Sequence, residues 1–262
     1  MEERPGVSCL LVTRGRPARA MRAIDCFASQ DYENAELVIV SHGAAGHRVL
    51  VDYARAATRR SVVEAVVPET ATLGAVRNVS VGIAGGEFVC QWDDDDLYHP
   101  QRVSRQLGAI EAVGADVCFM TDQLHYFERT SDLYWCDWQQ LPPRGRSRGL
   151  IPNTLFCRRA CFTPYPTTGS TAHRSEDAVV MRSLVKRCAV ATLHGHGWLY
   201  VYVYHGLNTW DESHHLGIVR ATALDARQLT VRSSQMIAAL RLLPLGAVVV
   251  RDGCDAEIFA VP

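Results

Sequence analysis

Gln91-Trp92-Asp93-Asp94-Asp95-Asp96 is the most distinctive stretch of this 262-residue sequence, and an apolar run at residues 88–90 leads into it. Side chains alternate between the two faces of an extended segment, so Asp93 and Asp95 should project to the same side. A hard divalent cation, Mg²⁺ or Mn²⁺, would neutralise such a pair, and these ions are commonly held by one or two carboxylates together with substrate phosphates. The alternative is an exposed acidic turn that precedes the next helix.

Composition excludes several classes of protein. The length fits one large α/β domain or two small ones, and 48% hydrophobic residues are enough for a sizeable core. A formal net charge of -1 gives no overall field that would attract nucleic acid or anionic lipid, so we expect no nucleic-acid partner. The amino terminus lacks the apolar segment of a signal peptide, and no later run approaches membrane-spanning length. We therefore expect no integral membrane segment.

The nine cysteines are scattered singly along the chain, and no C-x-x-C pair occurs. This pattern argues against a disulfide framework and against a zinc ribbon. Most of the cysteines lie in apolar segments, where a reduced cysteine behaves as a small hydrophobic residue. The expected compartment is therefore the reducing cytoplasm.

The first half of the chain alternates apolar strands with amphipathic helices. The pattern predicts strands over residues 7–12, 37–40, 62–67, 88–90 and 116–121, with helices over 73–84 and 100–113 among those between them. Such alternation indicates a mostly parallel sheet that is covered by helices. In open α/β sheets, ligands bind at the carboxyl ends of the strands, where Thr13, Arg14, Ser41 and the aspartates fall.

The second half follows a different rhythm. Residues 123–128 and 133–138 are predicted to form antiparallel strands, and residues 198–205 alternate strictly and end at His205. Glu176 and Asp177 begin a predicted helix, and the tail is predicted to form one helix over 221–243 and a short strand over 247–250. The loop at 142–149 carries glycine, proline and three arginines. It is either a mobile lid over a diphosphate or a plain solvated connector.

Several segments, taken in order, resemble the inverting family 2 glycosyltransferases of GT-A fold. The resemblance rests on residues 7–16, 30–32, 36–40, Gly74-Ala75-Val76-Arg77-Asn78, 84–100 and Glu176-Asp177. It implies an α/β fold of GT-A type, with a Rossmann-like, mostly parallel central sheet, flanking helices and a smaller antiparallel portion on the acceptor side. It further implies a nucleotide-sugar-binding half at 1–122 and an acceptor-side and catalytic half of the same domain at 123–215. The tail at 216–262 lies beyond the resemblance, and its pattern predicts a C-terminal helix and a short strand.

The resemblance implies roles for the acidic residues. Asp93 would contact the ribose of the donor and Asp94 would lie with it in the donor site, while Asp95 would bind the divalent metal that bridges the sugar diphosphate. Asp177 would be the general base that deprotonates the acceptor hydroxyl, and Glu176 would help to place the acceptor.

The donor pocket would include further residues. Arg77 is a candidate for it, Thr13 would line the nucleobase, and Arg14 would lie beside Thr13. The family usually has an acidic residue after the second strand, whereas this chain has Ser41-His42-Gly43, so a uridine, guanine or thymine nucleotide stays open. His205 stands where related GT-A enzymes often place a histidine near the metal and diphosphate, and the alternative is a structural histidine beside tyrosines.

These observations predict a metal-dependent glycosyltransferase that uses Mn²⁺ or Mg²⁺ and moves a sugar from a nucleotide-sugar donor to an acceptor hydroxyl with inversion. One alternative is a sugar-1-phosphate nucleotidyltransferase, although residues 13–16 have too few glycines for its phosphate loop. Another is a catalytically inactive nucleotide-sugar-binding module, against which the intact acidic residues argue. The acceptor could be a small molecule, a saccharide or a carrier-linked group, and the sequence leaves a homodimer open.

Overall fold

A computed structural model of the chain describes residues 4–142, 147 and 149–262, and it shows a mixed α/β architecture. In chain order the first elements are β1 (Val7–Thr13), α1 (Pro17–Ala28), β2 (Ala35–His42), α2 (His47–Ala57), β3 (Val62–Val67), α3 (Leu73–Ile83), β4 (Phe88–Asp93), β5 (Leu97–Tyr98), α4 (Arg102–Val113) and β6 (Val117–Met120). The elements that follow are β7 (Asp122–Phe127), β8 (Asp132–Asp137), β9 (Phe156–Arg158), α5 (Glu176–Arg187), β10 (Val190–Leu193), β11 (Tyr200–Tyr204), α6 (Glu212–Thr222), α7 (Ala226–Leu240), β12 (Val248–Arg251) and β13 (Glu257–Val261). The loop predicted at 142–149 lies mostly outside the described residues, and its role as a lid stays a prediction.

Within the described residues, the first sheet has seven strands in the order β10-β6-β9-β4-β1-β2-β3. The strands β4, β1, β2 and β3 are parallel neighbours, whereas β9 runs antiparallel to both β4 and β6. Every residue of β1 is buried, which is typical of a parallel strand that is covered on both faces. The predicted mostly parallel central sheet is therefore confirmed.

The register of this sheet brings the predicted strand-end residues to one edge. Thr13, the last residue of β1, lies opposite Ser41 of β2. Val12 lies opposite Asp93, the last residue of β4. Because the three strands are parallel, their carboxyl ends place Thr13, Ser41 and Asp93 side by side, and this is the edge at which such sheets bind ligands.

The second sheet has the order β13-β12-β8-β7-β11-β5 over the part of the chain that the structure describes. The strands β7 and β8 pair antiparallel, as predicted, while β11 runs parallel to β7 and β12 runs parallel to β8. This sheet is therefore mixed.

The tail differs from the prediction of one helix and one strand. Two helices, α6 and α7, replace the single helix predicted over 221–243. The chain breaks between α6 and α7 because a capping box starts a new helix at Asp225. The Asp225 side chain accepts the Gln228 N–H, and the Gln228 side chain accepts the Asp225 N–H. Leu224 just before it donates its N–H to the carbonyl of Trp135, at 2.9 Å. The strands β12 and β13 then pair antiparallel, and β13 was missed. None of the described helices is long and apolar enough to cross a bilayer.

The chain divides into two compact units. The first comprises Met1–Asp95, Pro100–Phe119 and Pro152–Ala191, and the second comprises Asp96–His99, Met120–Ile151 and Thr192–Pro262. The run of aspartates is therefore split. Asp96 is buried in the second unit, where it accepts hydrogen bonds from the Tyr200 hydroxyl and, at 2.9 Å, from the Val203 N–H. This fourth carboxylate fastens β11.

Candidate active site

Arg77 lies at the centre of a charge cluster in the first unit. Its Nη2 donates to Asp93 Oδ1 at 2.7 Å, and its Nε donates to Glu176 Oε1 at 2.9 Å. Arg77 is 9% exposed and Glu176 is 3% exposed. Burial alone would lower the pKa of Arg77, but the charges of Asp93 and Glu176 outweigh burial and hold that pKa well above its ordinary value. One guanidinium thus joins the end of β4 to the first turn of α5.

The segment from Gly74 to Asn78 explains how α3 holds Arg77 in this position. A Cβ atom on Gly74 would lie 1.9 Å from the carbonyl oxygen of Pro166, so only glycine allows this approach. Asn78 Nδ2 donates to the Tyr165 carbonyl at 2.9 Å, and the Tyr165 N–H donates to Asn78 Oδ1 at 2.8 Å. The Tyr165 ring in turn lies 5.7 Å from Arg77 Cζ, where its face attracts the cation.

Gln91 fixes the orientation of the Asp93 carboxylate. Its Nε2 donates to Asp93 Oδ2 at 2.9 Å, and its Oε1 accepts from the Tyr165 hydroxyl at 3.2 Å. Sequence reasoning missed both Gln91 and Tyr165. The period of two along β4, which places residues 91 and 93 on the same face, is the signal that could have found Gln91.

Arg16 bridges the next two aspartates. Its Nη2 lies 2.5 Å from Asp94 Oδ1, and its Nη1 lies 2.5 Å from Asp95 Oδ2. Thr13 Oγ1 donates to Asp94 Oδ2, also at 2.5 Å. Asp94 is 1% exposed, and burial, followed by repulsion from Asp95, raises its pKa to about 7.

The arginine that meets the aspartates differs from the one that the sequence singled out. Arg14 is exposed, whereas Arg16, directly before α1, contacts both Asp94 and Asp95. Gly15 adopts a left-handed backbone with a φ of 62°. That turn ends the alternation of β1, so the strand pattern alone could not show which arginine points to the site.

The first turn of α5 carries both of the predicted catalytic acids. Ser175, just before it, has a φ of 61°, a left-handed conformation that is strained for a residue with a side chain. Glu176 is buried against Arg77, while Asp177 is partly exposed and accepts the Ala178 N–H at Oδ1, at 2.7 Å. Burial and then the charge of Glu176 raise the pKa of Asp177 to about 7, and Arg77 opposes this rise.

The donor set at the end of β4 fits a hard divalent cation. It consists of oxygen donors, and burial, followed by the charge of Asp95, raises the pKa of Asp94 although Arg16 opposes the rise. The side chain of Asp95 is 15% exposed and that of Asp93 is 16% exposed, so both can be reached from solvent. One or two reachable carboxylates are what Mg²⁺ or Mn²⁺ needs when phosphates supply the other ligands. The role of Asp95 as the metal ligand stays a prediction.

Ser41 forms the end of a hydrogen-bonded relay. Its Oγ lies 2.7 Å from His47 Nδ1, and His47 Nε2 lies 2.6 Å from Glu64 Oε2. The bond from His47 lowers the pKa of Glu64. The relay fixes the hydroxyl of Ser41 at the sheet edge that it shares with Thr13.

His205 belongs to the second unit, whereas Asp95 belongs to the first. The His205 N–H donates to Asn208 Oδ1 at 2.9 Å, and His205 Nδ1 accepts the Leu207 N–H at 3.2 Å. When Nδ1 is an acceptor, the proton of the neutral ring lies on Nε2. A role for His205 as a metal ligand stays a prediction.

Comparison with known protein families identifies the family of this chain. The profile of glycosyl transferase family 2 matches residues 8–165, which include Thr13, Arg77 and the aspartates at the end of β4. The chain belongs to glycosyl transferase family 2.

Curated relatives carry glycosyltransferase names. EpsH of Bacillus subtilis (strain 168), which is named as a glycosyltransferase, is 30% identical to this chain over 186 residues. The match covers 65% of this chain and 53% of EpsH. The amylovoran biosynthesis glycosyltransferase AmsB of Erwinia amylovora is 30% identical over 90 residues, or 34% of this chain and 30% of AmsB. The chain thus spans about half, or less, of the length of these relatives.

Solved structures share the fold at low sequence identity. S. aureus TarS 1-349 in complex with UDP-GlcNAc superimposes with a TM-score of 0.60 at 15% identity, covering 92% of this chain and 68% of TarS 1-349. The mannosyltransferase PcManGT from Pyrobaculum calidifontis, in complex with GDP-Man and Mn²⁺, has a TM-score of 0.56 at 13% identity and covers 92% of this chain and 65% of PcManGT. The fold of this chain is therefore of the GT-A type.

Proposed function

We propose that this chain is a metal-dependent, inverting glycosyltransferase that moves a sugar from a nucleotide-sugar donor to an acceptor hydroxyl. The observation that carries the proposal is the Arg77 bridge, which ties Asp93 at the end of β4 to Glu176, the neighbour of Asp177 in α5. Donor-side and acceptor-side carboxylates are thereby held together by one buried cation. Membership of family 2 and the nucleotide-sugar complexes of TarS and PcManGT support this class of donor.

Asp177 is our candidate for the general base. A base works best when its pKa lies near the working pH, and burial raises the pKa of Asp177 to about 7. Its Oδ1 is held by the Ala178 N–H, which leaves Oδ2 to accept the proton of an acceptor hydroxyl. Glu176, fixed by Arg77, would orient that acceptor. A single displacement with one base inverts the anomeric centre.

The end of β4 is our candidate for the donor side. Asp93, held by Arg77 and Gln91, would accept from the ribose hydroxyls, and Asp95 would hold a divalent cation, Mn²⁺ or Mg²⁺. When bound, such an ion neutralises charge on the leaving diphosphate. Thr13 and Ser41, adjacent at the sheet edge, would face the nucleobase, where the lone pairs of Ser41 Oγ could accept from a base N–H.

Compartment and acceptor are also part of the proposal. The nine cysteines are unpaired, which favours a reducing compartment such as the cytoplasm. The acceptor in this proposal carries a hydroxyl, whose proton Asp177 would remove.

The experiment that tests the proposal measures melting temperature with UDP, GDP, dTDP and CDP, each with and without Mn²⁺. A ligand that binds only the folded state at 100 times its Kd stabilises by about 2.7 kcal/mol. We expect one nucleotide to raise the melting temperature, and Mn²⁺ to add to the rise. The variant Asp95→Ala should lose the part that depends on Mn²⁺.

A matched control is Asp52→Ala, which removes an exposed aspartate that pairs with Arg48 on α2. It should keep the full nucleotide and Mn²⁺ response. If none of the nucleotides changes the melting temperature, the proposed donor site is wrong. If a nucleotide binds but no sugar is transferred or hydrolysed from the corresponding donor in the presence of Mn²⁺, the chain is the inactive binding module.

A further inference from the structure

Three potential metal ligands converge in the first unit: the carboxylate of Asp116 and the thiols of Cys161 and Cys188. One ligand atom from each lies within 4.8 Å of the other two, and all three residues are partly exposed. Among the described residues, this is the only group of three or more histidine, cysteine, aspartate or glutamate side chains with that geometry. Asp116 and Cys161 are 45 positions apart in the sequence, and Cys161 and Cys188 are 27 apart. No local sequence motif therefore indicates the cluster.

The position of Asp116 is fixed on both sides by backbone hydrogen bonds. Its N–H donates to the Ala189 carbonyl at 2.9 Å, and its Oδ2 accepts the Ala189 N–H at 3.2 Å. Its own carbonyl accepts the Arg158 N–H at 2.8 Å. The residue after Cys188 and the strand before Cys161 are thus both attached to Asp116 by hydrogen bonds.

Arg187 holds the two cysteine-bearing segments together. It is the last residue of α5, and its Nη2 donates to the Cys161 carbonyl at 3.0 Å and to Thr163 Oγ1 at 2.7 Å. The Cys188 N–H donates to the Leu184 carbonyl at 2.8 Å, which continues the helix pattern to Cys188. The fold itself therefore brings the two thiols close together.

Among the described residues, the ion pair that Asp116 forms with Arg158 is a long one. Arg158 Nε lies 3.9 Å from Asp116 Oδ1, and the closer ion pair of Arg158 is with Glu87. A divalent cation bound between the two cysteines would stabilise their thiolate forms.

We propose that Asp116, Cys161 and Cys188 bind a zinc-like divalent transition-metal ion, with water as the fourth ligand. Two thiolates favour Zn²⁺ over Mg²⁺ or Mn²⁺, which prefer oxygen. Tetrahedral zinc with Zn–S bonds of about 2.3 Å requires ligand atoms about 3.8 Å apart, and the observed cluster allows this spacing. A partly exposed position leaves access for the ion and for the water.

This site is separate from the carboxylates at the end of β4. Glu176 and Asp177 open α5, and Cys188 follows its last residue. A helix of twelve residues is about 18 Å long at about 1.5 Å per residue. The ion would fasten the end of α5 to β6 and β9 and hold in place the helix whose first turn carries the proposed base.

Cobalt substitution provides the test, because tetrahedral Co²⁺ bound by thiolate has a charge-transfer absorption that Co²⁺ bound only by oxygen lacks. The full chain, reduced and freed of metal, would be titrated with Co²⁺ in the Asp95→Ala background. We expect a saturable charge-transfer band that Zn²⁺ abolishes by displacement. Cys161→Ser and Cys188→Ser should each weaken Co²⁺ binding at least tenfold and reduce the band, and Asp116→Asn should weaken binding with a smaller effect on the band.

Cys254→Ser is the control, since Cys254 is exposed and belongs to the second unit. It should leave the titration unchanged. Circular dichroism of each metal-free variant would show that it is folded. The proposal is overturned if no thiolate band appears, if the band persists in both cysteine variants, or if Cys161 and Cys188 are isolated as a disulfide that forms equally well in the presence of Zn²⁺.

Discussion

Replacing Asp177 by asparagine should stabilise the protein above pH 7 and, at the same time, remove sugar transfer. The pKa of Asp177 is raised from 3.8 to about 7, first by burial and then by the charge of Glu176. Between these two pH values the folded state keeps a proton that the unfolded state has lost. The stability that this carboxyl contributes is therefore complete below about pH 4 and is lost as the pH rises to about 7.

The magnitude follows from the size of the shift. One pKa unit corresponds to about 1.4 kcal/mol, so a rise from 3.8 to about 7 sets an upper limit of about 4 kcal/mol. Asp177 is partly exposed, and solvent screening reduces the effect, so we expect a gain of about 1–2 kcal/mol at pH 8. Asparagine keeps an Oδ1 that can accept the Ala178 N–H, so the helix start should survive.

Urea unfolding of both proteins at pH 4.5 and pH 8 measures the difference, which should be present at pH 8 and small at pH 4.5. Transfer from the nucleotide sugar identified by thermal shift should be lost in the variant. Asp211→Asn is the control, because bonds from Ser213 and from the His214 backbone lower the pKa of Asp211, so removal of its charge should bring no gain at pH 8. An Asp177→Asn protein that is fully active, or no more stable than the parent at pH 8, would refute the reasoning.

Two further predictions concern α3. Arg77→Met should lower the free energy of unfolding by about 3–5 kcal/mol, because it leaves Glu176 buried without its cation; in a double-mutant cycle by urea unfolding, adding Glu176→Gln should recover part of this loss. Gly74→Ala should lower both the melting temperature and nucleotide binding, because its Cβ would overlap the Pro166 carbonyl oxygen.

Each of these has a matched control within the first unit. Arg48→Ala removes one partner of an exposed pair with Asp52 on α2, and should change stability by less than about 1 kcal/mol. If Arg77→Met and Arg48→Ala lower the free energy of unfolding by similar amounts, the Arg77 bridge is not a major source of stability. Gly82→Ala lies on the same helix as Gly74 in open space, and should stabilise by about 0.5–1 kcal/mol. If Gly74→Ala behaves like Gly82→Ala, the close approach of α3 to Pro166 is wrong.

The parallel sheet and its strand ends could be predicted because their signals are local. Apolar runs, helical spacing and the aspartate run each occupy a short window, and parallel strands necessarily bring their carboxyl ends to one edge. The contacts that give the site its geometry are not local. Arg77 and Glu176 are 99 positions apart, and Asn78 and Tyr165 are 87 apart. The resemblance to family 2 supplied the arginine and the glutamate, but not the bond between them.

The different partners of the four aspartates could not be predicted from the local sequence. Four adjacent carboxylates are equivalent in the sequence, yet the structure gives them different partners. Asp93 is held by Arg77 and Gln91, Asp94 is buried against Thr13, and Asp96 fastens a strand of the second unit. Alternation separated Asp93 and Asp95 from their neighbours, but it could not show that Asp96 is structural, because that depends on where β11 returns.

A count of charges links the two halves of the proposed chemistry. Arg77 stands among Asp93, Glu176 and Asp177, and Arg16 stands between Asp94 and Asp95, so each arginine is outnumbered by the carboxylates around it. Burial makes the surplus negative charge costly, and one acid in each group, Asp177 or Asp94, responds with a pKa raised to about 7. A surplus of this kind can be relieved by a proton or by a metal ion. Around Arg77, the excess negative charge would be neutralised by the proton that Asp177 takes from the acceptor. Around Arg16, it would be neutralised by a divalent cation. Excess negative charge would thus account for both the general base and the metal site that sugar transfer requires.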